Sequence, residues 1–329
     1  MTSEELKSLG FILEIIRTIV RSAYDSLSTK QSKIFTEIFN ELWPVLRIIL
    51  TRYKDNYDIV EILSQIIKYF MRGMGSDFKI YLEDYMMIIL EGYQNTPISS
   101  YIYSLEVVAS AFVNDLTVEN LLKVMLKEFC VLTFTQYLRS FEELENNPHL
   151  TEDFFGLLYR LIRLNPSIIL DFEMFEDVMQ VCIQNIHLTH PESSKNLIYF
   201  LDKIITFHDI PKMKNMSEQV LGIYYEKMKN TLLKHGDELV NKIINFTLSV
   251  PPSIIFENLK DLMKNLMINF PNESKVWFEK YLQTLPQDCL TNTEKEKFIR
   301  TIANFNDDLM DDILDNFYRR CLSRLYRQT

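Results

Sequence analysis

Residues 57–74 read Tyr57-Asp-Ile-Val-Glu-Ile-Leu-Ser-Gln-Ile-Ile-Lys-Tyr-Phe-Met-Arg-Gly-Met74, and this stretch decides the fold class. Its apolar side chains recur three or four residues apart, at Ile59, Ile62, Leu63, Ile66, Ile67 and Phe70. That spacing places them on one face of an α-helix, where they can pack against a core. The same period continues through the 329 residues, without a sustained two-residue alternation. The sequence therefore predicts an all-α protein.

Glycine and proline mark the ends of the predicted helices, and there are only 7 Gly and 10 Pro. Pro148 and Pro166 each follow an asparagine, a favoured cap, and proline suits a first helical turn. Pro44 instead lies inside a continuing apolar pattern, which predicts a kink. The predicted helices are 3–25, 30–53, 56–74, 77–94, 98–113, 117–146, 150–164, 168–188, 192–208, 215–235, 237–249, 253–270, 273–285, 293–304 and 307–327.

The spacing of these helices predicts a repeat architecture. Short linkers of about two to six residues make successive helices antiparallel neighbours. The helix pairs recur roughly every 35–45 residues, which is typical of HEAT or armadillo arrays. We expect one continuous HEAT-type α-solenoid over 1–329, with about seven antiparallel pairs. The helix 3–25 is left as an unpaired first helix, and 293–329 is expected to form a C-terminal capping pair.

Composition and charge exclude several classes of protein. The 35 basic and 45 acidic residues give a net charge of −10, which disfavours direct nucleic-acid binding and favours basic partners. The apolar run 11–20 is interrupted by Glu14 and Arg17, and no run reaches the ~20 residues of a membrane span. The four cysteines stand singly, which indicates a reducing compartment. We expect neither a membrane span nor a secretory signal.

Residue patterns that carry enzyme chemistry are missing from the sequence. It contains no HExxH, GxxxxGK, GxSxG or CxxC motif, so we expect no enzyme, catalytic residue, cofactor or metal. His187 and His190 are three residues apart and could share a metal, but histidines at a helix end explain them as well. Cys182 could be a nucleophile, but a small cysteine on an apolar stripe is the simpler interpretation.

The last predicted helix has a polarised charge pattern. Its first half is acidic and its second half is basic, which matches the helix dipole at both ends. We interpret the helix as a stabilising terminal cap, with contact to a partner protein as the alternative. The residues concerned are Asp307, Asp308, Asp311, Asp312 and Asp315, then Arg319, Arg320, Arg324 and Arg327.

Five segments carry a similarity to a known family: 41–46, which reads Glu41-Leu-Trp-Pro-Val-Leu46, and 58–61, 146–170, 277–286 and 320–327. Together they resemble the C-terminal third of transportin-SR and importin-13, nuclear import receptors of the importin-β superfamily. The resemblance implies a HEAT solenoid that holds protein cargo, such as serine/arginine-rich or other basic proteins, on its concave face. It also implies binding of the GTPase Ran, contact with nuclear pore proteins, and shuttling between cytoplasm and nucleus. The main Ran-binding repeats of these receptors lie in an N-terminal part that this chain lacks.

The resemblance also implies a cargo-binding helix with four basic positions, which fall here on Ile62, Gln65, Lys68 and Arg72. Lys68 and Arg72 keep their charge and share a helix face. Arg72 can grip a phosphate with two parallel hydrogen bonds, and Lys68 can act as a point charge. Gln65, Lys68 and Arg72 are thus the candidate cargo-binding residues. The alternatives are two solvated basic residues at this site and, for the whole chain, a HEAT scaffold of a cytoplasmic complex without a transport role.

Overall fold

The computed structural model describes residues 3–26, 32–113, 115–214 and 216–328. All regular structure in these ranges is helical, which confirms the predicted all-α class. The α-helices are α1 Ser3–Asp25, α2 Ser32–Arg52, α3 Tyr57–Met74, α4 Lys79–Asn95, α5 Ser99–Ala111, α6 Leu116–Leu132, α7 Phe141–Asn146, α8 Pro148–Leu164, α9 Pro166–Leu170, α10 Phe175–Gln184, α11 Pro191–Ile205, α12 Pro211–Lys214, α13 Glu218–Leu248, α14 Ser253–Asn269, α15 Pro271–Thr284, α16 Asn292–Ala303 and α17 Asp307–Gln328.

The chain divides into two compact units, Met1–Glu143 and Leu144–Thr329. In the first unit, α3 packs against α1 and α5 in one row, while α4 packs against α2 and α6 in a second row. The rows meet where α2 contacts α3 and α4 contacts α5. This two-row arrangement is that of stacked antiparallel helix pairs.

An aromatic cluster fills the space between the two rows near α2. Phe39 is fully buried at its centre. Its ring centroid lies 5.0 Å from that of Phe70 on α3, 5.3 Å from Phe78 and 5.5 Å from Trp43. Such tilted and offset pairs add to the stabilisation from burial alone. Helix α2 continues through Pro44 as predicted, and the kink there stays a prediction.

The second unit repeats the row arrangement. α11 packs between α8 and α14, while α13 packs between α10 and α15. The prolines Pro148, Pro166, Pro191 and Pro271 each occupy the first turn of a helix, as expected because that turn does not need their N–H. The asparagines before Pro148 and Pro166 make no side-chain capping bond to these helices, so their predicted capping role was wrong.

Three predicted helix boundaries were wrong, and the contacts explain two of them. The expected break at Gly236 is absent, and α13 runs from Glu218 to Leu248. Gly236 lies against the indole of Trp277, so its missing side chain serves packing between helices. The expected helix 117–146 instead ends at Leu132, and a π-helical turn with two threonine hydroxyls bonded back to the backbone follows. The expected helix 168–188 is divided into α9 and α10.

The first helix is held in the fold by contacts to α3. Tyr24 lies against Tyr69, with ring centroids 5.8 Å apart. Its other side stays open, since Phe11 is 69% exposed and Ile19 is 62% exposed. The lack of an antiparallel partner for α1, the capping role of 293–329 and the single continuous array all stay predictions.

Ion pairs attach α17 to its neighbours. Lys260 on α14 contacts Asp315 at 3.1 Å and Asp311 at 3.9 Å, and Lys264 contacts Asp307 at 2.8 Å. At the basic end, Arg320 contacts Glu294 on α16 at 2.6 Å. The polarised charge pattern therefore stabilises packing within the unit, in addition to matching the dipole of α17.

We expect Lys260→Met to lower the free energy of unfolding by about 1–2 kcal/mol at neutral pH. The Lys260 side chain is only 12% exposed, and its removal leaves carboxylates at a half-buried interface without their cation. Burial opposes the charge, but hydrogen bonds to Glu257 and Asp315 prevail and raise the pKa of Lys260 to about 12. Its contribution is therefore complete below the ordinary pKa and declines as pH rises through about 12.

Urea denaturation of both proteins between pH 7 and pH 11 measures this difference. Lys275→Met is the matched control, because Lys275 on α15 is exposed and should change stability by less than about 0.5 kcal/mol. Equal losses in the two variants would contradict an ion-pair role for Lys260.

Candidate functional site

The solvent-facing side of α3 carries the three predicted cargo-binding residues. Asn56 caps the start of this helix by accepting a hydrogen bond from the backbone N–H of Ile59 at 3.0 Å. The apolar stripe is buried, including Ile62 at 9% exposure. Hence one of the four positions from the family pattern points into the core. The remaining side forms a polar stripe of Glu61, Gln65, Lys68 and Arg72.

Gln65 is engaged by neighbours on both sides. Its side-chain oxygen accepts a hydrogen bond from Arg17 Nη1 at 2.7 Å, and its amide donates to Glu61 at 3.1 Å. Arg17 belongs to α1 and also pairs with Glu14 at 2.6 Å. The structure therefore adds an arginine from another helix to the stripe.

Lys68 is half-buried between aromatic rings. Its Nζ donates to the Tyr103 hydroxyl at 2.9 Å and lies 4.6 Å from the ring centroid of Tyr69 and 5.5 Å from that of Tyr103. Aromatic faces attract a cation at these distances. The ammonium group is therefore held in one position on the surface of α3 by its contact with Tyr103 of α5.

Arg72 differs from the other two because it is exposed. Among the described residues, no hydrogen-bond or ion-pair partner contacts its guanidinium. A guanidinium in this state offers its full set of donors to an incoming carboxylate or phosphate. Arg72 is thus the most accessible cation of the stripe.

A groove of about 520 Å³ lies between α1 and α3, next to Gln65. Charges of both signs line it: Lys7, Arg17, Glu14, Asp58 and Glu61. Such a lining suits an extended peptide that itself carries alternating charges, because each sign finds a partner.

Sequence reasoning missed Arg17 and Tyr103. Arg17 interrupts an apolar run, and a basic residue inside such a run is itself a signal of an exposed helix face. Tyr103 lies on α5, 35 residues after Lys68. No local pattern indicates that contact, because it depends on how the helices stack.

The other candidate sites have structural roles. His190 caps α11 by accepting from the backbone of Ser193, and burial is the main cause that lowers the pKa of His187. Cys182 is fully buried in α10. No group of three metal-ligating side chains occurs within the described ranges. Within the same ranges, no helix has the length and apolarity to cross a bilayer.

Comparison with known proteins bears on the first unit most directly. Residues 34–137, which include α3 and its stripe, match the family model of the transportin-3/importin-13 fourth TPR domain. Over these residues the chain is similar to transportin-3 and importin-13. The resemblance expected from the sequence is therefore confirmed, and the relationship is to non-enzymatic transport receptors, as predicted.

Longer but more distant similarities extend over most of the chain. Transportin MOS14 of Arabidopsis thaliana is 22% identical over 265 residues, which cover 80% of this chain and 27% of that protein. The uncharacterized protein C11G11.07 of Schizosaccharomyces pombe is 20% identical over 317 residues, covering 93% and 32%. The chain thus spans about a third or less of the curated relatives.

The solved structure of importin-13 in its cytosolic state matches with a TM-score of 0.73 at 16% identity. The match covers 98% of this chain and 39% of importin-13. It confirms the predicted fold of helix-pair repeats. The α3 stripe lies within residues 34–137, the part of the chain that matches the family model.

Proposed function

We propose that this chain is a segment of a nuclear transport receptor that binds basic, serine/arginine-rich protein cargo on the α3 stripe. The observation that carries the proposal is the exposed Arg72 beside an aromatic-held Lys68, in the domain that matches transportin-3 and importin-13. Phosphorylated serines of the cargo pair with these two cations. Arginines of the cargo pair with the acidic side chains around the groove. The net charge of −10 adds a long-range attraction for such a basic cargo.

The receptor role further includes Ran, nuclear pore proteins and movement between cytoplasm and nucleus. Affinity capture on the immobilised chain, with and without Ran-GTP, tests this part. We expect captured cargo to decrease when Ran-GTP is present and the rest of the receptor is supplied. Capture of the subunits of one cytoplasmic complex, without any response to Ran-GTP, would instead favour the scaffold alternative.

Charge reversal tests the stripe itself. We expect Lys68→Glu together with Arg72→Glu to raise the Kd for a phosphorylated serine/arginine peptide at least about tenfold, since two charge-assisted contacts become repulsive. Fluorescence anisotropy with the labelled peptide measures this change. The unphosphorylated peptide should show a smaller difference.

A matched control uses Lys33→Glu together with Arg52→Glu. Both residues are exposed on α2, and this pair changes the net charge by the same amount. Equal weakening by the two double variants would indicate a general charge effect and exclude the α3 stripe as the cargo site. Unchanged binding in the stripe variant would exclude it as well.

A further inference from the structure

The guanidinium of Arg17 lies against the α3 stripe, although Arg17 belongs to α1. Its Nη1 donates to the Gln65 side-chain oxygen at 2.7 Å, and its Nη2 contacts the Glu14 carboxylate at 2.6 Å. Gln65 in turn donates to Glu61 at 3.1 Å, which orients its amide with the oxygen towards α1. These bonds fix a positive charge from α1 at the level of residue 65 on α3.

Arg17 keeps hydrogen-bond donors available for a ligand. A guanidinium has five N–H groups, and the two contacts above leave several of them unused. The Arg17 side chain is 33% exposed, and it lines the groove of about 520 Å³ between α1 and α3. Glu14 offers one negative charge, whereas a phosphoserine carries about −1.5 to −2 at neutral pH. A phosphate that enters the groove therefore competes with Glu14 for Arg17 without any movement of the helices.

Arg17, Lys68 and Arg72 form a row of three positive charges along α3. With a rise of about 1.5 Å per residue, the levels of residues 65, 68 and 72 are about 4.5 Å and 6 Å apart. In an extended peptide, residues two positions apart are separated by about 7 Å and point to the same side. The long side chains of the row span the small difference. Phosphates on every second residue of an extended peptide thus match the row, whereas phosphates on adjacent residues point to opposite sides.

We propose that Arg17 is a third phosphate-binding residue of the α3 stripe, and that the stripe reads phosphoserines at every second position of an extended cargo segment. This inference rests on the cargo-binding role proposed above. Lys68 and Arg72 bind two of the phosphates, and Arg17 binds the third beside the groove. The preferred ligand is an extended segment in which phosphoserine alternates with another residue, so that the phosphates all face α3.

Two labelled serine/arginine peptides of equal length test the role of Arg17 by fluorescence anisotropy. One carries two phosphoserines and the other three, all at alternate positions. We expect the third phosphate to lower the Kd of the unaltered chain about tenfold, as one charge-assisted contact does. In Arg17→Met this gain should fall below about twofold, because the third contact is missing. Gln65→Arg added to Arg17→Met should restore the gain, since the new arginine starts from the level that the Arg17 guanidinium occupied. A merely structural role of Arg17 predicts no such rescue.

Arg21→Met is the matched control for Arg17→Met. Arg21 is exposed one turn further along α1 and pairs with Asp25 of the same helix at 3.8 Å, so its variant should keep the full gain from the third phosphate. Equal gains in the two variants would overturn the role of Arg17. If the reversal of Lys68 and Arg72 still weakened binding in that case, the proposed cargo site would stand without Arg17. Unchanged binding after that reversal would overturn the cargo site and this inference together.

A third peptide tests the spacing, because it carries three phosphoserines at adjacent positions. Its net charge equals that of the alternating peptide, so the general attraction between charges is the same. We expect it to bind the unaltered chain about tenfold more weakly, since only two of its phosphates can face the stripe at once. Equal Kd values for the two triply phosphorylated peptides would overturn the readout of alternate positions.

Discussion

Gly236→Ala should lower the free energy of unfolding of the second unit by about 2 kcal/mol, a cost typical of overpacking in a filled core. A Cβ at this position would lie 2.3 Å from Cη2 of Trp277 and 2.6 Å from two further ring carbons. The indole is a rigid ring with only 7% exposure, so it has little space to move away. The helix-forming advantage of alanine offsets only about 1 kcal/mol of this cost.

Urea denaturation followed by circular dichroism measures the change, with Trp277 emission as a local probe. The matched control lies in the same helix, because a Cβ at Gly222 would meet nothing within 4 Å. Gly222→Ala should therefore stabilise the protein by about 0.5–1 kcal/mol. In a Trp277→Phe background the cost of Gly236→Ala should shrink, because the smaller ring relieves the overlap. Opposite signs for the two glycines are the essential result, and stabilisation by both would contradict the packing role of Gly236.

Phe39→Ala should have the larger effect, a loss of about 4 kcal/mol from the first unit, as is usual for a buried phenylalanine. Phe39 is fully buried, and its ring joins Trp43 of α2 to Phe70 of α3. Its removal takes away the centre of this cluster and leaves a cavity that the two helices cannot close without moving.

The readout is again the free energy of unfolding, here with Trp43 emission as the local probe. Ile38→Ala is the neighbouring control, because Ile38 is 46% exposed and should cost less than about 1 kcal/mol. Phe39→Leu should fall between the two. A loss below about 1 kcal/mol for Phe39→Ala would show that the aromatic cluster does not hold α2 against α3.

Much of the helical order was predictable because it depends on local chemistry. The stripe from Ile59 to Phe70 fixes which side of α3 faces the core, and the prolines fix where α8, α9, α11 and α15 begin. Gly236 shows the limit of such reasoning. The same residue type can end a helix or admit a neighbouring ring, and only the position of Trp277 distinguishes these two roles.

The candidate site was predictable in part for the same reason. The spacing of Gln65, Lys68 and Arg72 already places them on one side of α3. It does not say that Arg17 reaches Gln65 from α1, or that Tyr103 holds Lys68 from α5. Consequently, the accessible cation could be identified as Arg72 only after the helices were stacked.

By itself the sequence determined the helical class, the period of the repeats and the face that each amphipathic helix buries, because these follow from backbone geometry and from the spacing of apolar side chains. The tertiary structure alone decided the partners of individual charged and polar side chains. Lys260 with Asp315, Lys68 with Tyr103 and Arg17 with Gln65 are each 35 or more residues apart. Contacts at such separation depend on how one helix is placed against another, which no local pattern encodes.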